Sequence, residues 1–170
     1  MLIQKKICLL GDFSVGKTSL VRRFVEGEFD DKYLSTLGAK VNRKTLNYQH
    51  EQPTELKLLI WDIAGGEKFD MMMRSYYNGS SGAILICDLT RPETLDSLDK
   101  YIHNFWNINP DTPFVIAGNK ADLIEDNAAT MKELDKIATQ NQMAYFITSA
   151  KTGQNVESLF HRLGELLLSN

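Results

Sequence analysis

The sequence has few cysteines, no long apolar run and no excess of basic residues among its 170 positions. Its two cysteines, Cys8 and Cys87, lie within apolar stretches, which favours small core side chains over a disulfide framework or a metal site. No stretch approaches the ~18 consecutive apolar residues of a membrane-spanning helix. The formal net charge of −3 argues against nucleic-acid binding, because neutralising phosphates requires a concentrated basic surface.

Targeting segments and linkers are also missing from the sequence. Lys5 and Lys6 interrupt the first apolar stretch, which then runs into a glycine loop, so a signal peptide is not expected. We find no internal repeat, low-complexity segment or interdomain linker. Hydrophobic residues make up 43% and charged residues 24% of the chain, as in ordinary globular proteins. The composition therefore predicts one cytoplasmic domain over residues 1–170, which we expect to be monomeric.

Apolar runs rich in β-formers alternate with segments of helical period, which is typical of βαβ units and a mainly parallel sheet. The predicted strands are 3–10, 39–48, 55–62, 82–89, 114–119 and 144–148. The predicted helices with a recognisable apolar face are 17–26, 95–106, 128–141 and 156–167. The short polar link at 49–53 suits an antiparallel hairpin. The pattern indicates an α/β fold, a layered α/β/α domain with about six strands and five helices.

A glycine loop follows the first strand and precedes the first helix. Residues 11–18 read Gly-Asp-Phe-Ser-Val-Gly-Lys-Thr and match the phosphate-binding pattern G-x-x-x-x-G-K-[ST]. Glycines let successive backbone N–H groups face phosphate oxygens, and the following helix adds its positive end. Lys17 places a cation on the β- and γ-phosphates, and Thr18 offers a hydroxyl to Mg²⁺. The predicted phosphate-binding positions are Ser14, Val15, Gly16, Lys17, Thr18 and Ser19.

Two later segments follow predicted strands, at the sheet edge where open α/β sheets bind ligands. In Asn119-Lys120-Ala121-Asp122, the Asp122 carboxylate can accept paired hydrogen bonds from a ring N–H and an exocyclic amine, which guanine has and adenine lacks. The stem of Lys120 can lie over the base, and Asn119 can brace neighbouring loops. In Ser149-Ala150-Lys151, a backbone N–H can reach the base carbonyl. Each segment alone could be an ordinary polar turn, so their order along the chain decides the interpretation.

With these three segments in order, the chain resembles a small GTPase of the Ras superfamily, with a Rab-like character. The resemblance runs from Ile3 to the final helix. Its Rab-like part rests on residues 11–12, 33–38 (YLSTLG), 61–65 (WDIAG) and 75–79 (SYYNG). It implies a P-loop NTPase domain whose six-stranded sheet has one antiparallel strand, 39–48. It also implies GTP or GDP as ligand and Mg²⁺ as cofactor.

The resemblance assigns the polar segment 29–38, which by its pattern alone predicts only a mobile loop, as a first switch. It implies that Phe29 packs against guanine and that Tyr33 closes over the phosphates. Thr36 would coordinate Mg²⁺ and sense the γ-phosphate.

A second switch is implied after the third strand. Asp62 is placed to hold the metal through water, and Gly65 can present its N–H to the γ-phosphate. The implied metal-binding set is therefore Thr18, Thr36 and Asp62. Methionines 71–73 and tyrosines 76–77 suit either an adaptable partner surface or a cover for the sheet edge. The expected partner surfaces for effectors, exchange factors and GAP-like proteins are residues 30–45 and 64–79.

Two positions depart from the family pattern. The family usually carries Gln after Asp-x-x-Gly to orient the attacking water, whereas this chain has Gly66. Phe13 stands at a phosphate-loop position that is usually small, where it should obstruct the arginine finger of a GAP. The sequence alone leaves open whether these two residues are natural or are engineered changes made to trap the GTP-bound form. The candidate catalytic positions are Lys17, Thr36 and Gly66.

These departures leave two functions open, a slow GTPase and a GTP-binding interaction module without useful hydrolysis. An ATP-dependent P-loop kinase is disfavoured by Asp122 and by the lack of an evident acceptor-site lid. The family generally attaches to membranes through a prenylated C-terminal cysteine, and this sequence ends in Leu-Ser-Asn without one. We therefore expect peripheral membrane association only through a missing tail or a recruiting partner.

Overall fold

A computed structural model describes residues 1–32, 35–49, 52–66, 71–125 and 128–169. These residues form six strands, five α-helices, the third of which is interrupted at Ser97, and one short 3-10 helix. The strands are β1 (Leu2–Leu10), β2 (Ala39–Gln49), β3 (Pro53–Ile63), β4 (Gly82–Asp88), β5 (Phe114–Asn119) and β6 (Ala144–Ile147). The helices are α1 (Lys17–Glu26), α2 (Met71–Tyr77), α3 (Glu93–Asp96 and Leu98–Trp106), α4 (Ala128–Gln140) and α5 (Val156–Ser169), with the 3-10 turn at Ala121–Leu123.

The six strands form one sheet in the order β2-β3-β1-β4-β5-β6. β2 pairs antiparallel with β3, and all other neighbouring strands are parallel. The fold class inferred from the sequence is thereby confirmed, including the single antiparallel strand. Because β1, β3, β4, β5 and β6 run in one direction, their carboxyl ends reach the same edge of the sheet. The phosphate loop, the loop after β3 and the two base-side loops begin at that edge, and the segment 29–38 reaches it where β2 starts, since Ala39 pairs with Ile63.

Two apolar cores cover the two faces of the sheet, because alternate residues of a strand point to opposite sides. Ile7 and Leu9 lie in the core shared with α1 and α5. Cys8 and Leu10 lie in the opposite core, with α3 and α4. Cys8 and Cys87 are buried free thiols, which confirms that they act as core residues. The described segments contain no helix that is both long enough and apolar enough to cross a membrane.

Three details differ from the sequence prediction. Residues 71–77 form the helix α2, in a region whose sequence indicates no helical period. β6 is only half-buried along its length, not covered on both faces, because it is the edge strand beside β5. The predicted hairpin link falls partly on residues 50–51, which are outside the described residues.

Helix α1 has glycines at both of its boundaries. Gly16 precedes it with φ 104° and Gly27 follows it with φ 72°, a left-handed conformation that glycine adopts without steric cost. The N–H of Gly27 donates to the carbonyl of Arg23 at 3.0 Å. These boundaries place Lys17 at the first turn of the helix and Arg23 near its last turn.

Candidate nucleotide site

One cavity of about 350 Å³ lies at the carboxyl edge of the sheet. Thirteen of the predicted site residues line it: Ser14, Gly16, Lys17, Thr18, Ser19, Phe29, Thr36, Gly65, Asn119, Lys120, Asp122, Ala150 and Lys151. Val15 and Asp62 are buried and are not part of this lining. Ser149 is likewise buried and Gly66 lies outside the lining. Tyr33 lies outside the described residues.

Lys17 lies inside the phosphate loop with its side chain almost wholly buried. Its Nζ donates hydrogen bonds of 2.8 Å to the carbonyls of Gly11 and Asp12. An ammonium group has three donors, so a third remains for the cavity. Burial lowers the pKa of Lys17 to about 8, against the opposing effect of Asp62 and Asp12. A phosphate placed here would favour the charged form of Lys17 and would be bound more tightly because of it.

Three oxygen-bearing side chains meet beside Lys17. The Thr18 hydroxyl donates to Oδ2 of Asp62 at 2.6 Å, and the hydroxyls of Thr18 and Thr36 lie 2.8 Å apart. The other Asp62 oxygen, Oδ1, is buried without a hydrogen-bond partner among the described residues. Burial raises the pKa of Asp62, although Thr18 and Lys17 oppose this. Such a carboxylate needs either a cation or a bound water to compensate it.

This group of oxygens fits Mg²⁺, which prefers carboxylate and hydroxyl oxygens and usually keeps several waters and substrate phosphates. The cluster contains one carboxylate, and the described residues hold no group of three His, Cys, Asp or Glu side chains that could bind a metal. The phosphate oxygens of a nucleotide would therefore supply the remaining negative ligands.

Asn119 connects the base-side loops to the phosphate loop. It is buried, its Nδ2 donates to the Val15 carbonyl at 3.0 Å, and its Oδ1 accepts from the Thr148 hydroxyl at 3.1 Å. Its amide therefore spans two loops that leave different strands. The structure places Asn119 in the bracing position expected from the sequence.

Lys120 makes two contacts below the cavity. Its Nζ donates to the Ser14 carbonyl at 2.7 Å and pairs with Asp88 at 2.8 Å. Burial raises the pKa of Asp88, but hydrogen bonds from Lys120, Thr90 and Arg91 outweigh it and lower the pKa below its usual range. The charged end of Lys120 is therefore fixed, and its stem remains along the cavity wall.

Asp122 is an exposed carboxylate in the lining of the cavity. The buried Ser149 hydroxyl donates to its Oδ1 at 2.6 Å. Ser149 Oγ also accepts from the N–H of Thr152 at 3.1 Å. Ser149 therefore acts here as a support for Asp122 rather than as part of the cavity lining.

Three residues that sequence reasoning did not single out also act on these loops. Arg91 donates to the Phe13 carbonyl at 2.7 Å and pairs with Asp88 at 3.1 Å. Tyr101 and Arg23 contact the phosphate loop and the 149–151 loop, respectively. Apart from the local Arg91–Asp88 pair, each contact joins residues far apart in sequence, so no local pattern could have indicated it.

The comparison with known proteins agrees with this arrangement. Residues 6–169 match the Ras family. Human Rab-22A is 40% identical over 156 residues, covering 91% of this chain and 79% of the relative. Rice Rab5A is 37% identical over 164 residues, covering 96% and 79%. The fission-yeast GTP-binding protein ypt5 is 37% identical over 167 residues, covering 97% and 78%. The chain therefore belongs to the Ras family of small GTPases and is similar to its Rab members.

Proposed function

We propose that this chain is a molecular switch that binds GTP and GDP with Mg²⁺ and hydrolyses GTP slowly. The observation that carries the proposal is one cavity whose lining contains two chemically different groups of residues. One group includes Lys17 and Thr18, and the other includes Asp122 and Ala150. The first group suits phosphates and would form the phosphate end, and the second suits a base with adjacent donors, as guanine has, and would form the base end.

The phosphate end stabilises negative charge. The buried ammonium of Lys17 and the N–H groups at the start of α1 face the same space, where the low dielectric strengthens their attraction for an anion. Thr18, Thr36 and Asp62 would hold Mg²⁺, which neutralises phosphate charge when it is bound. A γ-phosphate that engages Thr36 and the N–H of Gly65 would order both switches, and its loss would release them.

The hydrolysis rate depends on Gly66. Hydrolysis requires a group that orients the attacking water, and glycine offers no side chain for this. An added Cβ at Gly66 would meet no described atom within 4 Å, so the position is open. We infer that water in this site is poorly oriented and that the intrinsic rate is low.

Assistance by a partner would also differ from that of a Ras-type GAP. The Phe13 side chain is 52% exposed at the mouth of the cavity, where an arginine finger would have to pass. For Ras itself, GAP assistance accelerates hydrolysis roughly 10⁵-fold. A partner of this chain would have to supply both a charge and a water-orienting group from another direction.

The proposed partner surface is the exposed part of the two switches. Leu37 is 91% exposed, Met71 is 89% and Met72 is 59%. Tyr77, the last residue of α2, is by contrast buried, so the two interpretations of this segment apply to different residues. We assign effectors, exchange factors and GAP-like proteins to residues 30–45 and 64–79, in a monomer acting in the cytoplasm.

Nucleotide binding followed by one round of hydrolysis tests the proposal. Purified protein is stripped of nucleotide and titrated with GDP, GTP and ATP in Mg²⁺, and the GTP complex is then followed for a single turnover. We expect tight GDP and GTP binding, weak ATP binding, and hydrolysis slower than the roughly 4 × 10⁻⁴ s⁻¹ of unassisted Ras.

Each alternative has its own outcome. Preferential binding of ATP would overturn the guanine assignment. A rate equal to that of Ras would overturn the role given to Gly66. GTP that stays intact over many hours would favour the interaction module without useful hydrolysis, which the missing side chain at Gly66 also allows.

A further inference from the structure

Arg23 lies near the end of α1, and its guanidinium reaches three backbone carbonyls. Its Nε donates to Ala150 at 2.7 Å, its Nη1 to Gly27 at 3.1 Å and its Nη2 to Lys151. Ala150 and Lys151 belong to the loop that lines the base end of the cavity. A single side chain of α1 therefore holds two successive peptide groups of a loop that follows β6.

These contacts determine where the loop's N–H groups point. In a trans peptide the C=O and the following N–H point in opposite directions. The Ala150 carbonyl faces Arg23, so the N–H of Lys151 points away from α1. The Ser149 carbonyl accepts from the N–H of Gly153 at 2.8 Å. The N–H of Ala150, which belongs to the same peptide group as that carbonyl, therefore points away from Gly153.

Neither of these N–H groups donates to a protein acceptor within the part of the chain that the structure describes. Ala150 is only 4% exposed, and a buried N–H without a partner is costly. An acceptor on a bound base would relieve this cost. The Asp122 carboxylate, supported by Ser149, lies in the same wall and would take the donors of that base.

Arginine suits this position better than lysine does. Its planar group presents donors in a rigid fork that can satisfy several carbonyls at once, whereas a lysine offers a point charge on a flexible stem. Six residues separate Arg23 from Lys17, a span of about 9 Å along a helix. One rigid element therefore connects the phosphate end of the cavity to the base loop.

We propose that Arg23 is a positioning residue for guanine recognition, which orients the 149–151 loop so that its backbone N–H groups meet the exocyclic oxygen of the base. This inference rests on the proposed nucleotide site. Arg23 does not line the cavity itself, so it acts through the loop.

The test compares three nucleotides in wild type and in Arg23→Met. GDP and IDP both carry the exocyclic oxygen, and IDP lacks the amine that faces Asp122. 6-Thio-GDP keeps the amine and the ring N–H but replaces the oxygen with sulfur, a weak acceptor. We expect Arg23→Met to weaken the binding of GDP and IDP about tenfold and that of 6-thio-GDP less than about threefold. The variant loses an oriented hydrogen bond to the base that only the exocyclic oxygen makes well.

Two further variants serve as controls. Arg162→Met removes an arginine from the exposed face of α5, where it pairs with Glu165, and should change none of the three affinities. Arg23→Lys keeps the positive charge but not the planar guanidinium. We expect it to regain less than half of the preference for GDP over 6-thio-GDP that Arg23→Met loses. If Arg23→Met does not fold, the affinities of Arg23→Lys are compared with those of wild type instead.

The outcomes separate the two claims. Equal weakening of all three nucleotides, or no weakening, would overturn the role of Arg23 while leaving the guanine site intact. Full restoration by Arg23→Lys would also overturn it, because charge alone would then suffice. Failure of the wild type to bind GDP would overturn the proposed function itself.

Discussion

The Tyr101 hydroxyl donates a 2.9 Å hydrogen bond to Oδ1 of Asp12 and so connects α3 to the phosphate loop. The other Asp12 oxygen accepts from the Ser97 hydroxyl at 2.7 Å. Burial, with Asp12 adding to it, raises the pKa of Tyr101, while the backbone N–H of Gly66 lowers it. The Asp12 carboxylate therefore accepts hydrogen bonds from both Tyr101 and Ser97, which fixes the phosphate loop against this helix.

Replacing Tyr101 with phenylalanine is expected to lower the free energy of unfolding by about 1 kcal/mol, because the Asp12 carboxylate loses one of its donors. Urea unfolding measures the effect. The matched control is Tyr145→Phe, whose hydroxyl bonds to Asp135 at an exposed site and should contribute less than about 0.5 kcal/mol. Equal losses in the two variants would contradict the role of the Tyr101 contact.

The oxygen cluster at Asp62 predicts a metal dependence. Mg²⁺ should raise the melting temperature of the GDP-bound wild type, because a ligand that binds only the folded state stabilises it. Asp62→Asn should lose most of this increase, since it removes the carboxylate charge that the metal compensates. Thermal scans with Mg²⁺ and with EDTA measure this difference in melting temperature. Asp135→Asn should respond as wild type does, and an unchanged response of Asp62→Asn would remove Asp62 from the metal site.

Asp122 predicts a change of base preference. Asparagine at this position can donate a hydrogen bond where the carboxylate only accepts, and xanthine has an oxygen where guanine has the amine. We expect Asp122→Asn to weaken the binding of GDP at least about tenfold and to strengthen the binding of xanthosine diphosphate. Competition binding measures both affinities. Conversely, retained preference for GDP would show that Asp122 does not face the base.

The two cysteines predict how stability changes at high pH. Burial raises the pKa of Cys8 to about 11 and that of Cys87 to about 12, from 9.0. The unfolded thiols lose their protons first, so their stabilising contribution is complete below pH 9 and decreases as the pH rises above it. Between pH 8 and pH 10 the titration of each thiol should lower the free energy of unfolding by about 1.3 kcal/mol.

The double variant Cys8→Ala/Cys87→Ala isolates this effect from other titrating groups. Its unfolding free energy should decrease less than that of wild type over the same pH range, by about 2.6 kcal/mol in total. Parallel decreases in the two proteins would show that the thiols do not carry the pH dependence.

Much of the fold could be predicted because local patterns encode it. The alternation of buried strands and amphipathic helices indicated all six strands, and α1 begins and ends at the predicted residues Lys17 and Glu26. Helix α2 was not indicated, because its seven residues are too few to define a period and two of its methionines face outward.

The site likewise contains residues that the sequence could predict and residues that it could not. The phosphate loop and Asp122 were predicted because their residue types and spacing carry the chemistry. Arg23 and Tyr101 were not, because on a single helix face they look like ordinary solvated or core residues. Their roles come from tertiary contacts with Ala150 and Asp12, which only the folded chain creates.

Single-turnover GTP hydrolysis in wild type, Gly66→Gln and Gly66→Ala tests the slow-switch account most directly. A Cβ at position 66 would meet no described atom within 4 Å, and only glutamine adds an amide that can orient water. We predict that Gly66→Gln hydrolyses GTP at least about tenfold faster than wild type, while Gly66→Ala stays slow. Equal rates for wild type and Gly66→Gln would contradict the account, because the missing side chain would then not limit hydrolysis.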